Sequence, residues 1–308
     1  MISFVIISKD EPELDGTLTA VAGQAAQDDE GHEIIVVDAS AGRLDRIAAA
    51  HPGVRWLDFS PPEGVRVSIP HQRNAGVRAA AGDTIVFTDA GCRPLENWLE
   101  NLLAPLRMDG EDVVAGVAVG PEGRDGLYDQ GALQAADYLD ECPTINLAFR
   151  RTVFDKVGGF DETFEYGSDV DFSWRVLDAG YRVRSAPDAV VTHDWGDRRR
   201  QARRSFAYGK ARARLYRKHR ARRARLLRAE PMVIVYPVYL LGLPVVLVAS
   251  AALTAALGPV GLLLPLGYLA LLLVPAWRNR GNGVGRVLLD HLVYGAGALA
   301  EVFRRPSR

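Results

Sequence analysis

From Pro231 to Trp277 the chain runs 47 residues without one Asp, Glu, Lys or Arg. One bilayer crossing takes roughly 20 apolar residues, so the stretch has room for two. A soluble helix of this length would carry a polar stripe. Since none is present, the sequence predicts a helical hairpin in a membrane over residues 231–277. Gly258 and Pro259, near its middle, suit the turn, and Pro237, Pro244, Pro265 and Pro275 are tolerated in membrane helices better than in soluble ones. A third apolar stretch, Val287 to Phe303 within a 284–308 tail, carries Asp290, His291 and Glu301 and reads as interfacial or as a third membrane helix, the charges favouring the first.

Charge organises the rest. The net charge of -1 over 308 residues averages three unlike regions. Residues 1–197 hold 16 Lys and Arg against 35 Asp and Glu, residues 198–228 hold 15 basic residues and no acid, and residues 229–308 hold 6 against 3. Basic residues crowd before the hairpin and recur at Arg278, Arg280 and Arg286, so the positive-inside rule predicts a multi-pass protein with both hairpin ends, and the acidic domain, on the cytoplasmic side. Met1 runs straight into "ISFVIIS", a strand pattern rather than a secretory leader. Cys92 and Cys142 match no zinc spacing and read as reduced thiols. The basic segment 198–229, despite Phe206, Tyr208 and Tyr216, is expected to lie on anionic lipid headgroups rather than on nucleic acid, gaining roughly 1 kcal/mol per cation near the surface.

The acidic region alternates strand and helix signals. "ISFVIIS" precedes a helix near Leu14 to Ala26, then come "EIIVVD", a short helix, "VRWLDF", a helix near Gln72 to Ala81, and "TIVFTDA". Short apolar runs between helices describe an α/β fold, a parallel sheet covered on both faces. Ligands collect at the carboxyl ends of such strands. Asp38 and Asp89 each stand at the end of an apolar strand, which aims both at one crevice; the alternative is that they cap turns.

Together "FVIISKDE", "IIVVDAS", "HQRNAGVRAAAGDTIVFTDAGCRP" and "TINLAFRRTVFDKVGGFDETFEYGSDVDFSWRVLDAGYRVRSAPDAVVTH" resemble a family 2 glycosyltransferase of GT-A fold, over roughly residues 1–215. The resemblance implies inverting transfer of a sugar from a nucleotide-sugar donor, helped by a divalent cation, magnesium or manganese. It also implies roles for residues. Ser8, Asp38, Arg73, Asn74 and Asp89 fall with the donor site: Asp38 toward the base, Arg73 and Asn74 on the helix beneath the pocket, Asp89 as first acid of an Asp-x-Asp motif. Asp169 matches the catalytic base, with Ser168 where Glu commonly precedes it, and His193 matches a late histidine that completes a metal shell beside Asp89.

The chemistry asks for such parts. Inverting transfer needs a base within hydrogen-bond reach of the acceptor hydroxyl, and the departing diphosphate gathers charge that a cation offsets. Asp169, Asp171 and Arg175 fall at i, i+2 and i+6 of a helix, so the two acids do not share a face. Asp169 is taken as the base. Asp171 stays open as an acceptor contact, a helix-start acid or an arginine partner, and Arg175 as an acceptor contact or, preferably, structural. The motif's second acid is missing: Gly91 holds its place, and Cys92 beside it is too soft for magnesium. Either Asp89, His193 and the diphosphate hold the ion, or cationic side chains such as Arg93 replace it, or the domain is a non-catalytic binding subunit at the membrane. A nucleotidyltransferase is disfavoured, because "SKDEPELDG" is acidic where a Gly- and Lys-rich phosphate loop would be. The order acidic domain, basic segment, apolar hairpin suggests a lipid-linked or envelope-polysaccharide acceptor, with Val119 to Pro143 as the acceptor-side segment.

Overall fold

The computed structural model describes residues 1–120, 136–196, 198–224, 232–278 and 283–304, so most of the expected acceptor-side segment lies outside the described residues. The chain divides into two compact units, Met1–Trp195 and Gly196–Arg308. The basic helix thus belongs to the second unit, and the first ends ahead of the residue 215 boundary that the resemblance suggests.

The first unit is built on a nine-stranded sheet. Its strands are β1 (Ile2–Ser8), β2 (His32–Asp38), β3 (Arg55–Asp58), β4 (Thr84–Asp89), β5 (Cys92–Pro94), β6 (Val113–Val119), β7 (Tyr138–Leu139), β8 (Asn146–Arg150) and β9 (Val183–His193). The order is β3-β2-β1-β4-β8-β6-β9-β5, with β7 on β9. The strands β1 to β4 pair in parallel, as the sequence pattern predicts. β8 runs antiparallel to both β4 and β6, and β5 and β7 run antiparallel to β9, leaving a mostly parallel sheet with reversed strands in its second half.

Alternation along the strands divides the core into two layers. Phe4, Ile6, Val36 and Val86 face helices α1 (Leu14–Ala25) and α4 (Trp98–Met108), through Leu14, Leu18, Trp98 and Leu102. Val5, Val37, Phe87 and Phe149 face α3 (Ile69–Ala79), α5 (Arg151–Val157) and α6 (Ser168–Asp178), through Val77, Phe154 and Phe172. A short α2 (Asp45–Ala50) connects β2 to β3. α3 starts a turn earlier than the predicted Gln72, because Pro70 sits in its first turn, where a missing N–H costs nothing. It ends at Ala79, as Ala80 turns extended.

One buried amide holds the reversed half together. The β6/β9 register shifts between Ala115 and Val117, and such an irregularity frees carbonyls that must find donors. The fully buried Asn146 side chain donates to Val117 O at 3.0 Å and Ala189 O at 2.8 Å, and accepts from Trp98 Nε1 at 2.8 Å. Gly116 makes room: a Cβ there would collide with the Asn146 amide.

The second unit is helical: α7 (Arg198–Lys218), a 3-10 turn at Arg220–Arg223, α8 (Met232–Leu257), a second 3-10 turn at Gly258–Leu262, α9 (Leu263–Arg278) and α10 (Val284–Val302). The hairpin turn falls where the sequence puts it, with Gly258 left-handed at φ +72°. α8 and α9 fold back on each other: Tyr239 Oη donates to Tyr268 O and Tyr268 Oη to Tyr239 O, each at 2.5 Å, and Ser250 Oγ donates to Gly261 O at 3.0 Å.

The arms are unequal. α8, with 26 residues, is about 39 Å long, whereas α9, with 16, is about 24 Å, short of a hydrocarbon core of roughly 30 Å. Among the described residues one helical stretch, Val233–Leu271, is long and apolar enough to cross a membrane by length and composition. The expectation of two such spans is corrected on this point. Only 6% of the stretch's most apolar window is buried, unlike the core helix of a soluble domain.

α10 packs against α7 through glycine. A Cβ on Gly209 would run into the backbone of Tyr294, and one on Gly297 into the backbone of Phe206. Small residues of this kind let helix backbones approach closely. Asp290 and Glu301 turn inward and are buried, with Arg217 donating to Glu301 O at 2.7 Å. Leu289, Val302 and Phe303 are exposed.

Candidate active site

The carboxyl ends of β1 and β2 lie side by side, Ser8 opposite Asp38. Gln72 of α3 sets them in place: its Nε2 donates to Ser8 O and to Val37 O, both at 2.9 Å, and its Oε1 accepts from Ser68 Oγ at 3.1 Å. Asp38 is buried and accepts from Ser40 Oγ at 2.6 Å; that same oxygen accepts the Asp10 N–H at 2.7 Å. Arg43 reaches across to Asp10 at 2.6 Å, and this hydrogen bond holds the Asp10 carboxyl below its usual range. The loops after β1 and β2 therefore form one wall. The buried Ser8 hydroxyl on it has no hydrogen-bond partner among the described residues.

The second wall carries Arg73, Asp89 and Asp169. Asp89 ends β4 with a third of its side chain exposed, and Arg73 of α3, itself buried, lies 3.5 Å from its Oδ1. The Arg73 guanidinium also sits 5.7 Å over the Phe160 ring, and its Nε finds no acceptor among the described residues. Asp169 stands in the first turn of α6, after a left-handed Gly167 at φ +77°. Desolvation by the surrounding protein lifts the Asp169 carboxyl above the ordinary carboxylate range, against the downward pull of Arg73. One buried cation thus acts on acids 80 residues apart in sequence, Asp89 and Asp169. The Asp169 backbone is fixed too: Ser173 Oγ donates to Asp169 O at 2.7 Å and accepts the Cys142 N–H at 3.0 Å.

The other predicted residues sit elsewhere. Asn74 directs its amide at the segment before α6, donating to Phe160 O and Glu162 Oε1 and accepting the Phe160 N–H at 2.8 Å. Asp171, fully buried, accepts from Arg175 Nε at 2.8 Å, and Arg175 donates to Val157 O and Gly159 O, which ties α6 to the end of α5. His193 ends β9 opposite Cys92, its Nδ1 3.6 Å from the Cys92 sulfur and its ring edge-on to Trp195. Burial pushes the Cys92 thiol up, so it stays protonated and is no anionic ligand. Arg93 is mostly exposed and spends its charge on Glu13 at 2.7 Å, so Arg73 is the cation that meets Asp89.

The residues fit a shared cation rather than a caged one. Among the described residues no three His, Cys, Asp or Glu side chains converge on one point. Magnesium beside a nucleotide needs only one or two carboxylates, with phosphate oxygens and water completing the shell. Asp89 would supply the first, and the Glu11 carboxylate lies against Gly91, its Cδ 3.5 Å from where a Cβ would stand. Sequence reasoning passed over Gln72, Asn146 and Glu11. All three lie inside the quoted motifs, but a motif does not display which carbonyl or turn a side chain will face.

A mostly parallel sheet with acids at its strand ends, reversed strands beyond β4 and an acid in the first turn of a following helix is the GT-A architecture. The mannosyltransferase PcManGT from Pyrobaculum calidifontis, solved with GDP-Man and Mn2+, shares it at a TM-score of 0.69 and 20% identity, over 98% of this chain and 87% of that one. The chain belongs to glycosyl transferase family 2, whose model matches residues 3–161; a second model, glycosyl transferase family group 2, matches residues 142–276. The pre-mycofactocin glycosyltransferase of Mycobacterium tuberculosis is 30% identical over 200 residues, 59% of this chain and 42% of the relative. Glycosyltransferase AglE of Haloferax volcanii is 28% identical over 129 residues, 39% of this chain and 42% of the relative. The chain spans under half the length of these curated relatives.

Proposed function

We propose that the protein is an inverting glycosyltransferase that moves a sugar from a nucleotide-sugar donor to a lipid-linked or envelope-polysaccharide acceptor at the cytoplasmic face of a membrane. The observation that carries the reading is the buried Arg73 guanidinium acting on both the strand-end Asp89 and the helix-start Asp169. In this reading Ser8 and Asp38 hold the nucleoside, and Asp89 faces the ribose and diphosphate end. Asp169 takes the proton of the acceptor hydroxyl as that oxygen bonds to the sugar's anomeric carbon. The bond from that carbon to the diphosphate breaks on the opposite face, its electron pair leaving with the phosphate, so configuration inverts. A raised carboxyl makes a stronger base than an ordinary Asp, and Arg73 keeps positive charge beside the site. A divalent cation, magnesium or manganese, held at Asp89 would offset the charge on the leaving diphosphate.

The acceptor reading rests on the second unit. The exposed apolar face of α8 suits hydrocarbon, the cations of α7 suit anionic headgroups, and a lipid-linked acceptor would meet the enzyme at that surface. α9, about 24 Å long, is too short to span the hydrocarbon core at any tilt. The test is nucleoside diphosphate release by the detergent-solubilised full chain from a panel of nucleotide sugars, with manganese, with chelator, and with membrane lipid extract. Release from one donor, increased by lipid extract, is the expected result. Donor binding with no release under any condition would point instead to a non-catalytic binding subunit.

A further inference from the structure

Gly91 stands where the family's motif carries its second acid, and the backbone explains part of that. Its φ is +87°, a left-handed conformation that an acidic residue adopts only with strain, and its N–H donates to Thr17 Oγ1 at 3.0 Å. The space its side chain would fill is not open. A Cβ on Gly91 would stand 3.5 Å from Glu11 Cδ, 3.6 Å from Cγ and 3.9 Å from Oε1. The Glu11 carboxylate, brought in from the loop between β1 and α1, lies against the position from which an acid at 91 would project.

Glu11 also differs electrostatically from its neighbours. Asp10 pairs with Arg43, Glu13 with Arg93 and Asp15 with His51. Among the described residues Glu11 pairs with no cationic side chain; its Oε1 only accepts the Glu13 N–H at 3.3 Å.

We propose that Glu11 supplies, from the β1–α1 loop, the second carboxylate of the divalent-cation site, replacing the acid that Gly91 lacks. This rests on the reading of the strand ends as a nucleotide-diphosphate site. A hard oxygen ligand from Glu11 and one from Asp89, with two diphosphate oxygens and water, is the arrangement magnesium and manganese take beside nucleotides. It also accounts for a shell that is incomplete without ligand, since neither acid holds the ion alone. The longer Glu side chain reaches in from a neighbouring loop what a short Asp on the turn would have offered directly.

The test is Mn2+ binding to the detergent-solubilised full chain, read by electron paramagnetic resonance, alone and with GDP or UDP, alongside metal-free nucleotide binding by calorimetry. In the wild type, one nucleotide should tighten Mn2+ binding. Glu11→Gln should weaken Mn2+ binding in that ternary complex on the order of 10–100-fold, the loss typical of disabling a metal-site residue, and leave metal-free nucleotide binding unchanged. Glu13→Gln, two residues along, should change neither. Gly91→Asp in the Glu11→Gln background should recover part of the loss, limited by the strain at φ +87°. Wild-type Mn2+ affinity in a folded Glu11→Gln protein that still binds nucleotide would overturn the proposal alone. No nucleotide binding by the wild type, with or without Mn2+, would overturn the donor-site reading and this proposal with it.

Discussion

The two units solve the same problem, the satisfaction of backbone polar groups, by different means. In the first unit single polar side chains at single positions do it: Gln72 bridges the ends of β1 and β2, Asn146 mends the β6/β9 irregularity, and Asn74 fastens α3 to the segment before α6. In the second unit the helices satisfy themselves, and their seams rely on glycine and on tyrosine hydroxyls reaching carbonyls. The difference separates two ways of building a unit. An α/β unit with a mixed sheet can bury polar atoms only when each has a partner, whereas the second unit leaves Val238, Leu241, Val245 and Val248 exposed along one helix.

The comparison breaks most visibly at Asn146. Asn146→Ala leaves two carbonyls and the Trp98 indole N–H without partners in the core, and should cost roughly 3–9 kcal/mol, at about 1–3 kcal/mol for each orphaned group. Thermal unfolding followed by tryptophan fluorescence reads this directly, and a change under 1 kcal/mol would mean that water or a shifted strand serves as well. The matching intervention in the second unit is Leu247→Arg, at an exposed position of α8. In hydrocarbon it should cost about 2.5–3.5 kcal/mol, seen as protein lost from carbonate-washed membranes. Full retention of the variant would place α8 in water and erase the contrast. The smallest effect concerns Asp169. Its carboxyl is raised above the ordinary 3.8, so the native state holds that proton more tightly than the unfolded chain does. Stability therefore falls as pH rises through and beyond the ordinary range. Asp169→Asn should raise the melting point at neutral pH, with the gain vanishing below the ordinary carboxylate range; a lower melting point at neutral pH would show that the carboxylate supports the fold instead.

Legibility in the sequence followed the same division. The parallel strands β1 to β4 were readable because runs such as "EIIVVD" end on a carboxylate, and the hairpin turn because Gly258 and Pro259 interrupt an uncharged run. The antiparallel partners β5, β7 and β8 were not, since strands of two to five residues carry too little periodicity to show direction. Residue spacing placed Asp169 and Asp171 on different faces of a helix, and in the structure Asp169 Oδ1 accepts the Val170 N–H while Asp171 pairs with Arg175. It could not reveal that α9 stops at 16 residues, or that the acids of α10 turn inward, because both depend on which helix each one packs against. Nor could it show that Arg93 is occupied by Glu13 while Arg73, from a helix before the motif, meets Asp89.

The central claim is that Asp89, Arg73 and Asp169 form one transfer site with Asp169 as its base. The most direct measurement is paired donor binding and turnover in Asp169→Asn, on the full chain with the donor that the wild type uses. Donor affinity within about twofold of wild type, with turnover reduced on the order of 100- to 10,000-fold, the range a positioned base contributes, is the predicted result. Turnover equal to wild type in a folded Asp169→Asn protein would contradict the account.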